Sequence, residues 1–227
     1  MELCEGGTLE DLLMDFDEDE DLTDQVVFYY TEIVSGIRFM YEKNILHRDL
    51  KPSNILIKDN KVKIADFGTS KFKQENEMIR TLVGTTLFAS PEILELFVGD
   101  DNSYTEKSDI WSLGLILYLM FHYEKSQDSP TKRVSQSLPW RGKSPIDILN
   151  NIKNKPLEFH CEKMPEEMKE IVRKMLTIDV EKRMSFKEFF ELPYFKAGQK
   201  KTEKKNKHLM VESVVDLELS ASVFNCN

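Results

Sequence analysis

Apolar side chains recur at helical spacing early in the chain. The recurring positions are Val26, Tyr30, Ile33, Ile37 and Met40. Spacings of three and four residues place them on one face, so the pattern predicts a long amphipathic helix that begins near Thr23. Asn44 marks its expected end, because asparagine tolerates the left-handed backbone that often closes a helix.

The longest largely apolar stretch runs from Ile110 to Phe121. It is about a dozen residues long, whereas a helix needs roughly 20 to cross a bilayer. We therefore predict a buried core helix and no membrane partner. Helix is expected to exceed strand by far.

Shorter patterns predict the remaining elements. Two brief apolar runs, 55–57 and 62–65, flank the turn residues 58–61 and predict a small β-hairpin. Thr8 is expected to cap a short helix, and the pairs Ser144-Pro145 and Ser185-Glu188 each indicate a helix start. The polar stretch 123–143 has no periodicity, which predicts an exposed loop.

Composition narrows the possible partners. The 227 residues include 41% hydrophobic ones, enough for the core of one domain, and the net charge is -9 with a pI near 5.1. An acidic balance argues against a nucleic-acid partner, since phosphate binding needs clustered lysine and arginine. The acidic stretch 2–24 and the lysine-rich stretch 196–207 are interpreted as a solvated face and a polar tail.

The cysteines and the first residues of the chain indicate the cellular compartment in which the protein is expected. Cys4, Cys161 and Cys226 are odd in number and widely spaced, as expected in a reducing environment. The chain starts with acidic residues, so no secretory signal is visible. These features predict a cytoplasmic protein.

Four motifs follow one another in a fixed order. They are His47-Arg48-Asp49-Leu50-Lys51-Pro52-Ser53-Asn54, Asp66-Phe67-Gly68, Ser90-Pro91-Glu92 and Asp109-Ile110-Trp111-Ser112-Leu113-Gly114. Each is weak alone, but together they resemble the catalytic lobe of a eukaryotic-type serine/threonine protein kinase. The resemblance covers residues 1–195 and leaves 196–227 as a tail. It implies a mainly α fold, the kinase-like large lobe, with the small β-hairpin at the catalytic loop.

The resemblance implies a division of roles for transfer of phosphate from ATP to a protein substrate. Asp49 would orient the substrate hydroxyl and accept its proton, and Lys51 would contact the transferred phosphate. Asn54 and Asp66 match the two protein ligands of Mg²⁺, a cation that prefers oxygen donors.

Further matches concern the nucleotide and regulation. Backbone groups of Glu2 and Cys4 would face adenine, with Leu56 as the floor of that site. Thr81 occupies the position of an activating phosphate, which would be added by an upstream kinase and would pair with Arg48.

Other matches have structural roles. Glu92 and Arg183 match a buried ion pair, and Asp109 matches a helix residue that holds the backbone of the catalytic loop. Ser90 is a mild departure, since the usual motif is Ala-Pro-Glu.

The segment Met1-Glu2-Leu3-Cys4-Glu5-Gly6-Gly7 resembles the hinge that follows the kinase N-terminal lobe. The glycine-rich loop, strand lysine and helix glutamate that precede a hinge have no match, so this chain by itself is expected to bind Mg²⁺-ATP weakly and transfer phosphate negligibly. Three interpretations follow: an incomplete kinase, which the intact Asp49, Lys51, Asn54 and Asp66 favour; a catalytically inactive kinase-like binding or scaffold module; and a remnant without activity.

Overall fold

The computed structural model describes residues 4–16, 22–66, 71–72, 85–99, 104–125 and 128–195. Helix dominates these residues, as the sequence predicts. The helices are α1 (Leu9–Asp15), α2 (Leu22–Glu42), α3 (Pro91–Glu95), α4 (Glu106–His122), α5 (Pro130–Ser137), α6 (Pro145–Asn154), α7 (Glu166–Met175) and α8 (Phe186–Phe190). The strands are β1 (Ile45–Leu46), β2 (Ile55–Lys58), β3 (Lys61–Ile64) and β4 (Lys71–Phe72), and short 3-10 turns cover Pro52–Asn54, Thr85–Phe88 and Leu96–Val98.

Helix α4 forms the centre of the core. Every residue from Ser108 to Phe121 is buried, so the helix has no solvent face. It packs against α2, α5, α7 and α8. The predicted core helix is confirmed, and none of the described helices is long and apolar enough to cross a membrane.

Helix α2 confirms the amphipathic pattern. Its buried side chains include all five predicted positions, together with Val34. Asn44 has a φ of 57°, the left-handed backbone expected after the helix end. The chain can therefore turn directly into β1, which leads to the loop 47–54.

The predicted hairpin is β2 and β3, paired antiparallel. Asp59 and Asn60 have positive φ values of 49° and 57°, as a type I′ turn requires. A second pairing, β1 with β4, is antiparallel and two residues long. Before α1, Gly6 N donates to Ile57 O and Ile57 N to Gly7 O, which holds residues 6–8 against β2.

Predicted helix starts are confirmed at three places. The hydroxyl of Thr8 accepts from Asp11 N at the start of α1, and Ser144 accepts from Asp147 N at the start of α6. Ser185 and Glu188 form the expected capping box of α8.

The prediction of an exposed loop over 123–143 is wrong, because α5 lies within it. Polar contacts stabilise this helix where periodicity gave no signal. Arg133 donates to Asp128 O at 2.6 Å and to the hydroxyl of Tyr123 at 2.9 Å, and it contacts Glu10 of α1 at 3.3 Å. Among the side chains of α5 that the structure describes, Val134 is the one buried apolar residue.

Candidate active site

The loop between β1 and β2 carries three of the predicted site residues. Asp49, Lys51 and Asn54 lie within hydrogen-bonding distance of one another. Lys51 Nζ is 2.6 Å from Asp49 Oδ2, and Asn54 Nδ2 donates to Asp49 O at 2.8 Å and to Asp49 Oδ2 at 3.1 Å. The structure thus brings these side chains together.

One oxygen of Asp49 differs from the other. Oδ2 takes the contacts from Lys51 and Asn54, whereas the buried Oδ1 has no hydrogen-bond partner among the described residues. A buried acceptor without a donor is costly and is rarely left in a native structure without a reason. Oδ1 can accept a further hydrogen bond, but because it is enclosed, a hydroxyl from outside would reach it only after the surrounding side chains move.

Asp66 lies directly after β3 and is exposed to solvent. Its φ of 62° is left-handed, and the preceding Ala65 N donates to Asn54 O at 2.8 Å, so the end of β3 is fixed beside Asn54. A carboxylate and an amide oxygen are donors that suit Mg²⁺. In the described ranges no three His, Cys, Asp or Glu side chains group closely enough to hold a metal ion, so a cation here would need further oxygens from a ligand.

The loop 47–54 is anchored to α4 through Asp109. Its carboxylate accepts from His47 N at 2.9 Å and from Arg48 N at 3.1 Å. Arg48 has a φ of 71°, an uncommon backbone state for a residue other than glycine. The predicted anchoring role of Asp109 is confirmed, and it fixes the backbone immediately before Asp49.

Asp109 is held in an environment that opposes its charge. Burial raises the pKa of its carboxyl above the usual value, while bonds from Tyr104, His47 and Arg48 act in the other direction. These bonds stabilise the charged form, but burial is the larger effect, so the net shift of the Asp109 pKa is upward.

Glu92 and Arg183 form the predicted buried ion pair. Arg183 NH1 and NH2 donate to the two carboxylate oxygens of Glu92 at 2.8 and 2.9 Å. Burial alone would raise the pKa of Glu92, but Arg183 more than offsets it, and the pKa lies below its usual range. Ser108 of α4 also donates to Glu92, at 2.8 Å, so the pair joins α3, α4 and the segment before α8.

The predicted adenine side lies where residues 6–8 meet the hairpin. Thr8 pairs with Leu56 in an isolated antiparallel bridge, and the Leu56 side chain is half-buried. Cys4, also half-buried, precedes this contact. Glu2, Phe67, Gly68 and Thr81 lie outside the described residues.

Sequence reasoning missed several residues of the site. Tyr104 donates a hydrogen bond to Asp109 Oδ1, and Ser112 donates to Phe88 O at 2.9 Å. Ser108 could have been found from the sequence, because it lies three residues after the capping residue Thr105. Its hydroxyl accepts a hydrogen bond from Thr105 N at the start of α4. Tyr104 gave none, because a tyrosine five residues before an aspartate matches no local pattern.

The fold and this arrangement of loop, hairpin and anchoring helix define a class of protein. The family model for the protein kinase domain matches residues 1–195. The chain belongs to the protein kinase family.

Its relatives are serine/threonine kinases by name. The chain is 34% identical to serine/threonine-protein kinase atg1 of Dictyostelium discoideum, over 84% of this chain and 26% of that protein. It is 34% identical to serine/threonine-protein kinase nekl-2 of Caenorhabditis elegans, over 81% and 49%, and 32% identical to serine/threonine-protein kinase Nek11 of Mus musculus, over 85% and 28%. The chain therefore spans between about a quarter and a half of the length of these three relatives.

Proposed function

We propose that this protein transfers the γ-phosphate of ATP to serine or threonine hydroxyls of a protein substrate. The observation that carries the proposal is the environment of Asp49. One oxygen is bound by Lys51 and Asn54, and the other is buried and lacks a partner among the described residues. A hydroxyl bound at Oδ1 would be oriented by that bond, and positioning is the largest protein contribution to phosphoryl transfer.

Asp49 would accept the proton of the attacking hydroxyl. Asn54 Nδ2 donates to both the backbone and the side chain of Asp49, so the carboxylate is held in one orientation before substrate arrives. Lys51 would contact the transferred phosphate. Its ammonium already lies 2.6 Å from Asp49 Oδ2, which brings a positive charge to the position where negative charge develops.

Asn54 and Asp66 would hold Mg²⁺ together with oxygens of the nucleotide. When bound, the cation would neutralise charge on the phosphates. The bond from Ala65 N to Asn54 O supports this assignment, because it keeps the two ligands at adjacent points of the hairpin base.

The adenine of ATP would lie near the contact between residues 6–8 and β2. Leu56 would supply the apolar floor, and backbone groups of Glu2 and Cys4 would bind the ring. Support comes from the bridge between Thr8 and Leu56, which fixes this side of the hairpin.

Regulation would act through Thr81 and Arg48. The Nε atom of Arg48 is buried without a partner among the described residues, and a phosphate carries acceptors that pair well with a guanidinium. Phosphorylation of Thr81 by an upstream kinase would then fix the loop 69–83 through this pairing. The proposal predicts that Thr81→Ala lowers transfer, and equal activity of the phosphorylated and unphosphorylated protein would contradict it.

The test is phosphate transfer from radiolabelled Mg²⁺-ATP to a generic serine- and threonine-containing protein. It uses a version of the protein in which a kinase N-terminal lobe precedes this chain, called here the full-length protein, and the Asp49→Asn variant of that version. Loss of general-base assistance typically costs about 10²- to 10⁴-fold. We expect a loss of that size with nearly unchanged nucleotide affinity. Asp66→Asn is the matched comparison, and it should weaken Mg²⁺-dependent nucleotide binding.

The outcomes separate two functions. Transfer that survives in Asp49→Asn would contradict the role given to Asp49. Absence of transfer in the unaltered protein, with specific capture of a partner through the same face, would instead support a kinase-like binding module.

The proposed site of action is the cytoplasm, where a reducing environment would keep Cys4 and Cys161 as the free thiols that the structure describes.

A further inference from the structure

Tyr104 lies just before α4 and is half-buried against the loop 47–54. Its hydroxyl donates to Asp109 Oδ1, the same oxygen that accepts from Arg48 N. The guanidinium of Arg48 lies over the Tyr104 ring, with Cζ 5.9 Å from its centroid. The hydroxyl of Tyr104 thus contacts Asp109, which holds the loop backbone, and its ring contacts Arg48, the residue before Asp49.

This contact matters because Asp109 has few other partners that favour its charge. His47 N bonds Oδ2, and Oδ1 receives one bond from Arg48 N and one from Tyr104. Hydrogen bonds to a charged group are stronger than those between neutral groups. Loss of the Tyr104 bond would remove a contact that fixes the position of Oδ1, the oxygen that accepts from Arg48 N in its left-handed backbone state.

We propose that Tyr104 is a positioning residue for catalysis, which acts through Asp109 to fix the backbone of His47 and Arg48 and thereby the direction of the Asp49 carboxylate. The inference rests on the proposed function for its catalytic consequence. Its structural part, the control of the His47 and Arg48 amides, stands independently of that function.

The charges around Asp109 set the expected pH dependence. The groups that face Asp109 or Tyr104 are His47, Arg48 and Glu92. Burial raises the pKa of Tyr104 well above its usual range, so the phenol remains a donor. Burial also raises the pKa of Asp109, so its charged form costs stability at neutral pH, and the cost disappears as the pH falls through the pKa of the folded state.

The test is Tyr104→Phe, which keeps the ring and removes only the hydroxyl. With the full-length protein we expect kcat to fall roughly tenfold or more while the KM for ATP stays within about twofold, because Asp49 is misdirected and the nucleotide site is untouched. In the same variant, hydrogen exchange at the His47 and Arg48 amides should accelerate by roughly tenfold. The loss of unfolding free energy should be greatest at neutral pH and should shrink as the pH falls through the folded-state pKa of Asp109, since the bond stabilises the charged carboxyl most.

Tyr118→Phe is the matched control. Its hydroxyl donates to the neutral carbonyl of Glu158 at 3.0 Å, far along α4 from the loop. This variant should leave kcat and both loop amides unchanged, and its stability loss should not vary with pH. The inference would be overturned if Tyr104→Phe left hydrogen exchange at the His47 and Arg48 amides unchanged and lost the same stability at every pH. This result does not depend on whether any variant transfers phosphate. Normal transfer by Tyr104→Phe, in a protein that does transfer phosphate, would overturn its catalytic part alone.

Discussion

The helical body around α4 and the loop that carries Asp49 are built on opposite principles. In α4 the buried residues are mostly apolar and lie on every side of a regular helix. In the loop, Arg48 has a left-handed backbone, as has Asp66 after β3, and the buried carboxylate of Asp49 has one oxygen without a partner among the described residues. Unusual backbone states and unsatisfied polar atoms cost stability and persist where surrounding structure enforces them. The body therefore supplies stability, and the loop carries local costs that the proposed phosphate transfer would explain.

Asp109 joins the two regions, since it belongs to α4 and binds the loop backbone. The backbone conformation of the loop is therefore set by its contact with α4 and not by the conformational preferences of its own residues. Variants in the body should change stability, and variants in the loop should change transfer.

The largest stability effect is expected from Arg183→Met. The side chain of Arg183 is 0% exposed and that of Glu92 is 8% exposed, so the variant leaves a buried carboxylate without its cation. Removal of one partner of a buried pair typically costs about 3 to 5 kcal/mol of unfolding free energy. Urea unfolding measures the loss. Arg173→Met, which removes an exposed contact with Glu166, is the control and should change little.

That experiment can also break the comparison. If Arg183→Met and Arg173→Met had similar unfolding free energies, the buried polar pair would contribute nothing to the body, and apolar packing alone would account for its stability.

A smaller effect is expected where α4 contacts α7. A Cβ on Gly114 would lie 2.9 Å from the Cβ of Met175 and 2.9 Å from Leu176 Cδ2. Overpacking costs about 1 to 3 kcal/mol, and the better helix propensity of alanine returns up to about 1 kcal/mol. Gly114→Ala should therefore lower the thermal midpoint in a melt followed by circular dichroism.

Gly36→Ala on α2 is the matched variant. Its added Cβ would meet the end of the Ile64 side chain, which can rotate away. It should be neutral or stabilising, and a loss equal to that of Gly114→Ala would contradict the tight contact assigned to α4 and α7.

The smallest effect concerns a polar contact at the end of α4. His122 Nδ1 lies 2.9 Å from Tyr118 O, and Nε2 accepts from the amides of His160 and Cys161 at 3.1 and 3.2 Å. Burial lowers the pKa of His122 below 6.5. Its stabilising contribution is thus complete above pH 6.5 and is lost as the pH falls through the pKa of the folded state.

His122→Gln retains an acceptor that does not titrate. The acid-side slope of unfolding free energy against pH should become shallower by at most about one proton. His160→Gln, at an exposed histidine, should leave the slope unchanged. An unaltered slope in His122→Gln would show that the ring does not titrate within the transition.

Local patterns predicted the body well. The spacing of apolar residues located α2, the unbroken run 110–121 located α4, and capping residues located the starts of α1, α6 and α8. Helix α5 was not predicted, because it is stabilised by hydrogen bonds from the Arg133 side chain to Tyr123 and Asp128. Such bonds do not appear in the spacing of apolar residues. The pairing of β1 with β4 escaped because each strand has only two residues.

The site was predictable only in part. Motif order identified Asp49, Lys51, Asn54 and Asp109, and the structure brings the first three together. The left-handed backbone of Arg48 and the hydroxyl of Tyr104 on Asp109 depend on contacts between distant segments or on the loop's final shape. Such features arise from tertiary packing and leave no mark on local sequence.

The proposed function assigns Asp49 to phosphate transfer and gives it little part in folding. This assignment is tested most directly by the unfolding free energy and the transfer rate of Asp49→Asn, measured on the same preparation of the full-length protein. We predict a change in unfolding free energy of under about 1 kcal/mol with a transfer rate at least about 10²-fold lower. A loss of transfer that vanishes once the rate is corrected for the folded fraction would contradict the claim.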